Sequence, residues 1–369
     1  NLTSMMDHPI IAKEEDQDEA CYRQFYEEAI SLCRQKRFHE ALEKCRYTSL
    51  DDEEEYSIDV IQPEKIEFKQ NSYEDGENSI ISFPEFLLLV LDVCTGGEQP
   101  ASHYQPDKLI EKFDALKTYF TAGEFYEKML YYRLLLDYYT IRRDIKDGQG
   151  NYSLILKGPK DDSDKLKQYQ SMLYVSTEAF YNWLKPYLRK LEQDELHSCA
   201  EMLAFLKKED NERHSILPAR KDLSYKASGN IRYWFWRLDY YLWEQRSTFF
   251  NEEEQKIVEH YVFRRNRSIE HLHPQDESHN EEWEEEAVHS FGNLAMISQS
   301  FNSQQSNDHI QIKFARIHEQ ISNKSLQSIK MFLMCKLADF NYQNWTMKLA
   351  KEHENEMIEF LERSFYISD

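Results

Sequence analysis

Glycine and proline are scarce in this chain, 9 of each in 369 residues. Antiparallel sandwiches and dinucleotide-binding folds need many tight turns, and such turns draw on these two residues. Their scarcity points to long helices. Tyr (24), Phe (21) and Trp (6) supply amphipathic aromatics suited to helix seams. With 41% hydrophobic and 30% charged residues, a packed core is feasible and a wholly disordered chain is not expected. The length suits two domains. The expectation is a mainly α protein.

The net charge of −22 taken whole opposes a nucleic-acid binder, because phosphate contacts need a basic surface. That charge is unevenly placed. Residues 1–100 hold 24 carboxylates against 9 Lys and Arg, a net of −15, which leaves −7 for the other 269 residues. Residues 276–286 add seven carboxylates and no base. Local sites therefore have to be read locally. The six cysteines form no CxxC pair and no compact framework, so they read as thiols in a reducing, cytoplasmic compartment. No apolar run is long enough to span a membrane. The opening Asn1-Leu2-Thr3 resembles no signal peptide and reads as the start of a piece of a longer protein.

Along the chain, residues 1–19 read as an acidic arm, and helical spacing begins with Phe25, Ala29, Leu32, Phe38 and Leu42. Residues 70–78 read as a polar loop. Ser82, Pro84 and Glu85 mark a helix start, and Thr95-Gly96-Gly97 a stop. Two helical patterns fill residues 106–145, with a short strand expected at 152–156. Helices resume over residues 164–206. The stretch 207–232 is basic and loop-like, and Ser228-Gly229-Asn230 marks a boundary. The expected division is a helical coupling domain, 1–225, and a second domain, 226–369, that opens on an aromatic helix.

The chemistry lies in residues 268–313. A short strand is expected at 267–272, then a loop with an acidic helix at 281–288, a second strand at 293–297, and a helix from about residue 303. That is a ββα order. Hydrolysis of a phosphodiester needs a base for water and a divalent cation for the developing charge. A carboxylate beside a histidine on a strand sends the two side chains to opposite faces. One can then face a cation while the other faces the water, and an amide oxygen from the following helix can complete a site for Mg2+ or Mn2+.

Residues 269–275 (Ile-Glu-His-Leu-His-Pro-Gln), Trp283, Gly292-Asn293-Leu294 and Asn302 together resemble the HNH, or His-Me finger, nucleases. More closely, they resemble the C-terminal nuclease domain of the GmrSD-type modification-dependent restriction endonucleases, over residues 230–340. The resemblance implies a ββα-metal core enclosed by helices and a DNA endonuclease of antiphage restriction. In it, His271 activates water, Glu270 and Asn302 hold one divalent cation, and Asn293 braces the histidine-bearing loop. One such site nicks a single strand, and double-strand cleavage implies a homo-oligomer. Relatives carry a lysine soon after the last Asn, where this chain has Gln304 and Gln305, with Lys313 the nearest phosphate contact. They also carry an N-terminal nucleotide-binding sensor with an Asp-Gly-Gln-Gln-Arg signature. Only Asp147-Gly148-Gln149-Gly150 stands here, so that sensor is expected outside this chain.

Several residues keep two readings. His273 shares a face with His271 and is either a substrate or metal contact or a structural residue. His289 reads as packing or capping, and Asn307 competes with Asn302. Arg264, Arg265 and Arg267 either blunt a strand edge or contact DNA phosphates, and the basic stretch with Arg220, Lys221 and Lys226 is a further candidate for phosphate contact. Glu281 to Glu286 read as a solvated helix face, or as carboxylates that matter near a cation. Two rivals to the DNA nuclease remain, a catalytically inactive helical scaffold and an RNA-directed nuclease.

Overall fold

Several of the described helices begin where the sequence supplies a capping side chain followed three residues later by glutamate. Ser82 with Glu85, Thr121 with Glu124 and Asn251 with Glu254 each close a reciprocal capping box, which satisfies amides that a helix start would leave unpaired. A computed structural model describes residues 19–46, 76–145, 152–159, 163–176, 179–265, 268–275, 283–297 and 310–366. These residues are mainly α-helical with two small antiparallel sheets. Among them, no helix is long and apolar enough to cross a membrane.

The chain packs as two compact units, residues 1–163 with 179–202, and residues 164–178 with 203–369. The boundary drawn from sequence near residue 225 therefore falls inside the second unit, and residues 164–178 belong with the C-terminal part of the chain.

In the first unit, the helices Glu19–Arg34 and Phe38–Arg46 double back through a turn where Lys36 takes φ 59°. Both pack on the helix Ala122–Tyr139, as does the helix Phe83–Cys94. The latter ends at Gly96 and Gly97, whose φ angles of 104° and 78° favour glycine. Strands β1 (Gly76–Ser79), β2 (Arg142–Ile145) and β3 (Tyr152–Ile155) form an antiparallel sheet in that order. The expected polar loop at 70–78 thus ends in a strand, and the expected helical stretch 106–145 ends in another. Neither strand carries an alternating apolar pattern. Asp137, fully buried beneath β2, is ion-paired with Arg133 at 2.8 Å and with Arg142.

The second unit is organised by the aromatic helix Arg232–Glu244. Every residue from Tyr233 to Trp243 is buried, which places the helix inside the unit rather than on its surface. The helices Ile329–Leu337 and Met347–Arg363 and the strand β5 (Leu294–Ile297) pack on it. β5 pairs antiparallel with β4 (Ser268–His271), setting Glu270 opposite Ala295 and His271 opposite Leu294. Of the expected acidic helix, the turn Glu285–Val288 is helical, while 276–282 lie outside the described residues. The start expected for the next helix, about residue 303, lies outside the described residues, and a helix is described over Ile310–Ser322.

The two charged residues within the buried stretch of the aromatic helix, Arg237 and Asp239, are both engaged. Asp239 accepts from the Lys330 backbone amide at 2.8 Å and from the Tyr261 hydroxyl at 3.2 Å. Arg237 donates to Ser364 Oγ at 3.0 Å, to Asn211 Oδ1 at 2.7 Å and to Asp210 at 3.3 Å. Its guanidinium also lies 4.4 Å from the centre of the Phe365 ring. Removing one partner of a buried ion pair leaves the other charge desolvated. Arg237→Met is expected to lower the stability of the second unit by about 3 kcal/mol, read as a fall in urea midpoint at unchanged slope. An unchanged midpoint would show the pair to be energetically idle.

Candidate functional site

Strand β4 carries Glu270 and His271 on successive positions, and both are buried, at 6% and 4% exposure. The helix Ile310–Ser322 reaches both through one side chain. Lys313 Nζ lies 2.5 Å from Glu270 Oε1 and donates to the His271 carbonyl oxygen at 2.6 Å. Lys313 is therefore not at a surface, where a phosphate contact was expected. Its ammonium is buried, at 4% exposure, across the backbone of the strand and its carboxylate.

The His271 ring sits in a polar setting. Its Nε2 lies 3.1 Å from His289 Nδ1. The Gln275 amide nitrogen lies 2.9 Å from His271 Nδ1. These partners suit a neutral ring that accepts at Nδ1 from Gln275 and donates at Nε2 to His289. Burial, the adjacent His289 and the Lys313 charge pull the His271 imidazole down to about 3, so the ring is neutral at physiological pH. Tyr225, 44% exposed, stands edge-on to His271 with ring centres 4.6 Å apart. Its segment is latched in place, since Ser224 Oγ and the Tyr225 amide both donate to the His289 carbonyl, at 3.1 and 3.0 Å.

Asn293 closes the site from behind. Its Oδ1 accepts from the His273 amide at 2.8 Å and from Trp345 Nε1 at 3.2 Å. Its Nδ2 donates to the His273 and Val288 carbonyls at 3.0 and 2.9 Å. The amide is thus fully engaged, and two of its bonds hold the loop after β4 against the turn before β5. That turn is itself fixed twice. A Cβ on Gly292 would meet the Ala350 carbonyl oxygen at 2.1 Å, so only glycine lets the helix Met347–Arg363 come this close. Lys330, fully buried, donates to the Phe291 and Leu294 carbonyls at 2.9 and 2.7 Å.

The structure thus brings Glu270, His271, Asn293 and Lys313 together. His273 is stacked on Trp283, ring centres 4.1 Å apart and nearly parallel, which accounts for the tryptophan of the motif. Arg264 and Arg265 are exposed in irregular chain rather than in a strand, and Arg265 lies over the Tyr174 ring at 4.4 Å. Arg220 pairs with Glu354 at 2.7 Å and Lys226 with Glu285. Arg267, Asn302 and Asn307 lie outside the described residues. Lys330 and the His271–His289 contact escaped the sequence reading. A lysine inside an apolar helical run (Ile-Lys-Met-Phe-Leu-Met) was the available signal for the first; nothing local signalled the second.

Among the described residues, no group of three or more His, Cys, Asp or Glu stands together as a metal site. The chemistry of Glu270 nevertheless fits a hard cation. Its carboxylate oxygens are the donors Mg2+ and Mn2+ prefer, and its burial calls for a positive charge, here met by Lys313.

Residues 210–360 match the family described as GmrSD restriction endonucleases, C-terminal domain. All the described site residues fall within that span. No curated protein and no solved structure matches the chain.

Behind the turn, His353 is fully buried, and neither ring nitrogen has a hydrogen-bond partner among the described residues. Burial, and then the Lys330 charge, hold its imidazole well below the usual histidine range. Such a group adds no pH dependence above the unfolded value of about 6.5. Below that value the unfolded chain takes up a proton that the native ring refuses, so stability falls with pH by up to about 1.4 kcal/mol per unit. Asp239, whose carboxyl burial pushes up, acts in the opposite direction over the same window. The difference between two proteins isolates the histidine. From pH 6.5 to 5, wild type should lose about 1–2 kcal/mol relative to His353→Leu in urea unfolding. Parallel pH profiles would contradict a neutral native His353.

Proposed function

We propose that residues 210–360 form a divalent-cation-dependent DNA endonuclease of the His-Me finger (HNH) kind, the effector part of an antiphage restriction protein. The observation that carries this reading is the placement of Glu270 and His271 on successive positions of β4, with the chain just beyond them tied to the Gly292-Asn293-Leu294 turn by two hydrogen bonds between the Asn293 side chain and the His273 backbone. Support also comes from the match to the GmrSD C-terminal domain over the same residues.

His271 is the general base. It is held in the neutral form that can accept a proton from water, and burial and the Lys313 charge keep its basicity low until substrate rearranges its surroundings. The Gln275 amide stands at Nδ1 and would have to yield that position to water. His289, hydrogen-bonded at Nε2, fixes the plane of the ring. Asn293 keeps the loop from moving when the ring changes charge, which is a positioning role. Glu270, with Asn302, would hold one Mg2+ or Mn2+. Such an ion supplies charge stabilisation to the pentavalent phosphorus and the leaving oxygen. Arg264, Arg265 and Arg267 would steer the DNA backbone. A single site cuts one strand, so nicking is the basal activity, and a homo-oligomer would cut both. A nucleotide-binding sensor domain would supply the activating signal, and modified phage DNA the substrate, in the cytoplasm.

One observation favours a second reading, an inactive helical scaffold: the Glu270 carboxylate is already neutralised by Lys313. Relaxation of supercoiled plasmid separates the two. With Mg2+ or Mn2+ the wild-type chain should nick plasmid, and EDTA should stop it. His271→Ala and Glu270→Ala should each lower the rate at least about 100-fold. Intact plasmid with wild type in both metals would support the scaffold. Cleavage of single-stranded RNA in preference to duplex DNA would move the substrate assignment to RNA.

A further inference from the structure

We infer that Lys313 is a resident counter-cation of the Glu270 site, and that a divalent ion binds by displacing its ammonium from the carboxylate. This rests on the nuclease reading of Glu270 and adds to it a competition built into the chain.

Three features lead there. Both partners are shielded from solvent, with side-chain exposures of 4% for Lys313 and 7% for Glu270 at a separation of 2.5 Å. A carboxylate so buried is poorly tolerated without a positive charge beside it, so the ammonium carries a role that a metal would otherwise fill. The same ammonium is anchored a second time, on the His271 carbonyl at 2.6 Å. That contact is to a single carbonyl oxygen, so an ammonium that has left the carboxylate keeps one partner of two and is held less firmly.

The ammonium and a metal ion compete directly. Both use the lone pairs of the carboxylate, and two positive charges within a few ångströms in a desolvated site repel strongly. Lysine suits the exchange, because its charge is compact and rides on a flexible four-carbon stem. Arginine, with a planar fork that can grip the carboxylate at two points, would be harder to displace. Without divalent cation, Lys313 keeps Glu270 compensated and the strand in place. With it, the released ammonium lies beside the candidate base, next to where the phosphate would bind.

The test is Mn2+ binding by the 369-residue chain, measured by calorimetry without DNA. Lys313→Met and Lys313→Gln should bind Mn2+ at least tenfold more tightly than wild type, Lys313→Arg no more tightly than wild type, and Glu270→Gln at least tenfold more weakly. Should the uncharged variants fail to fold, the wild type still decides. Amine-directed labelling of Lys313, read by mass spectrometry, should be slow without Mn2+ and several-fold faster with it. Unchanged or weaker Mn2+ binding by Lys313→Met, or labelling indifferent to Mn2+, would overturn the inference. Plasmid nicking by wild type alongside keeps the two readings apart. Nicking without any Lys313 effect sinks this inference alone. Displacement of Lys313 by Mn2+ without nicking sinks the nuclease and leaves the inference standing.

Discussion

The amide of Asn293 ties together two pieces of chain that strand pairing alone would leave loose. Strands β4 and β5 are only four residues each, and a two-stranded ribbon of that length has little stability of its own. What holds the loop beyond His271 is a fully buried side chain bonding the amide and the carbonyl of His273, Trp345 and the Val288 carbonyl. Leaving such buried groups unpaired costs about 1–3 kcal/mol each. The turn that carries Asn293 is in turn wedged against the Ala350 carbonyl by a glycine and held from below by Lys330. The site is a product of this stack, with the aromatic helix Arg232–Glu244 as its floor.

Charge is the second constraint. The second unit buries Asp210, Arg237, Asp239, Glu270, Lys313 and Lys330, and each is engaged by a hydrogen bond or an ion pair. Burial of this kind stabilises little in net terms but penalises any arrangement that separates the partners. The consequence is a site specified by its polar contacts. It also explains why His271 is a weak base at rest, since a desolvated ring beside a lysine charge resists protonation.

Much of this was legible in the residues because it is local. Ser82 with Glu85 announces a helix through capping, and the glycines after Thr95 announce its end. Glu270, His271 and the Gly292-Asn293-Leu294 turn stand out because only a few chemistries call for those types in that order. What stayed hidden depends on pairing at long range. Gly76–Ser79 and Arg142–Ile145 are polar or charged segments that become strands by hydrogen-bonding to each other and to Tyr152–Ile155, and no alternation foretells that. Residues 164–178 join the second unit through contacts such as Tyr169 with Asp210, some 40 positions away. Lys313 looked like a phosphate contact because sequence shows its charge and not its neighbour.

The role of His271 is open to a direct chemical measurement. A small base diffusing into the space left by a truncated side chain can replace a missing imidazole, but it cannot replace a missing brace. Single-turnover plasmid nicking by His271→Ala should recover at least tenfold on addition of imidazole, with a dependence on free-base concentration, while Asn293→Ala shows no such recovery. Nicking by His271→Ala at the wild-type rate, before any imidazole is added, would contradict the assignment of His271 as the base.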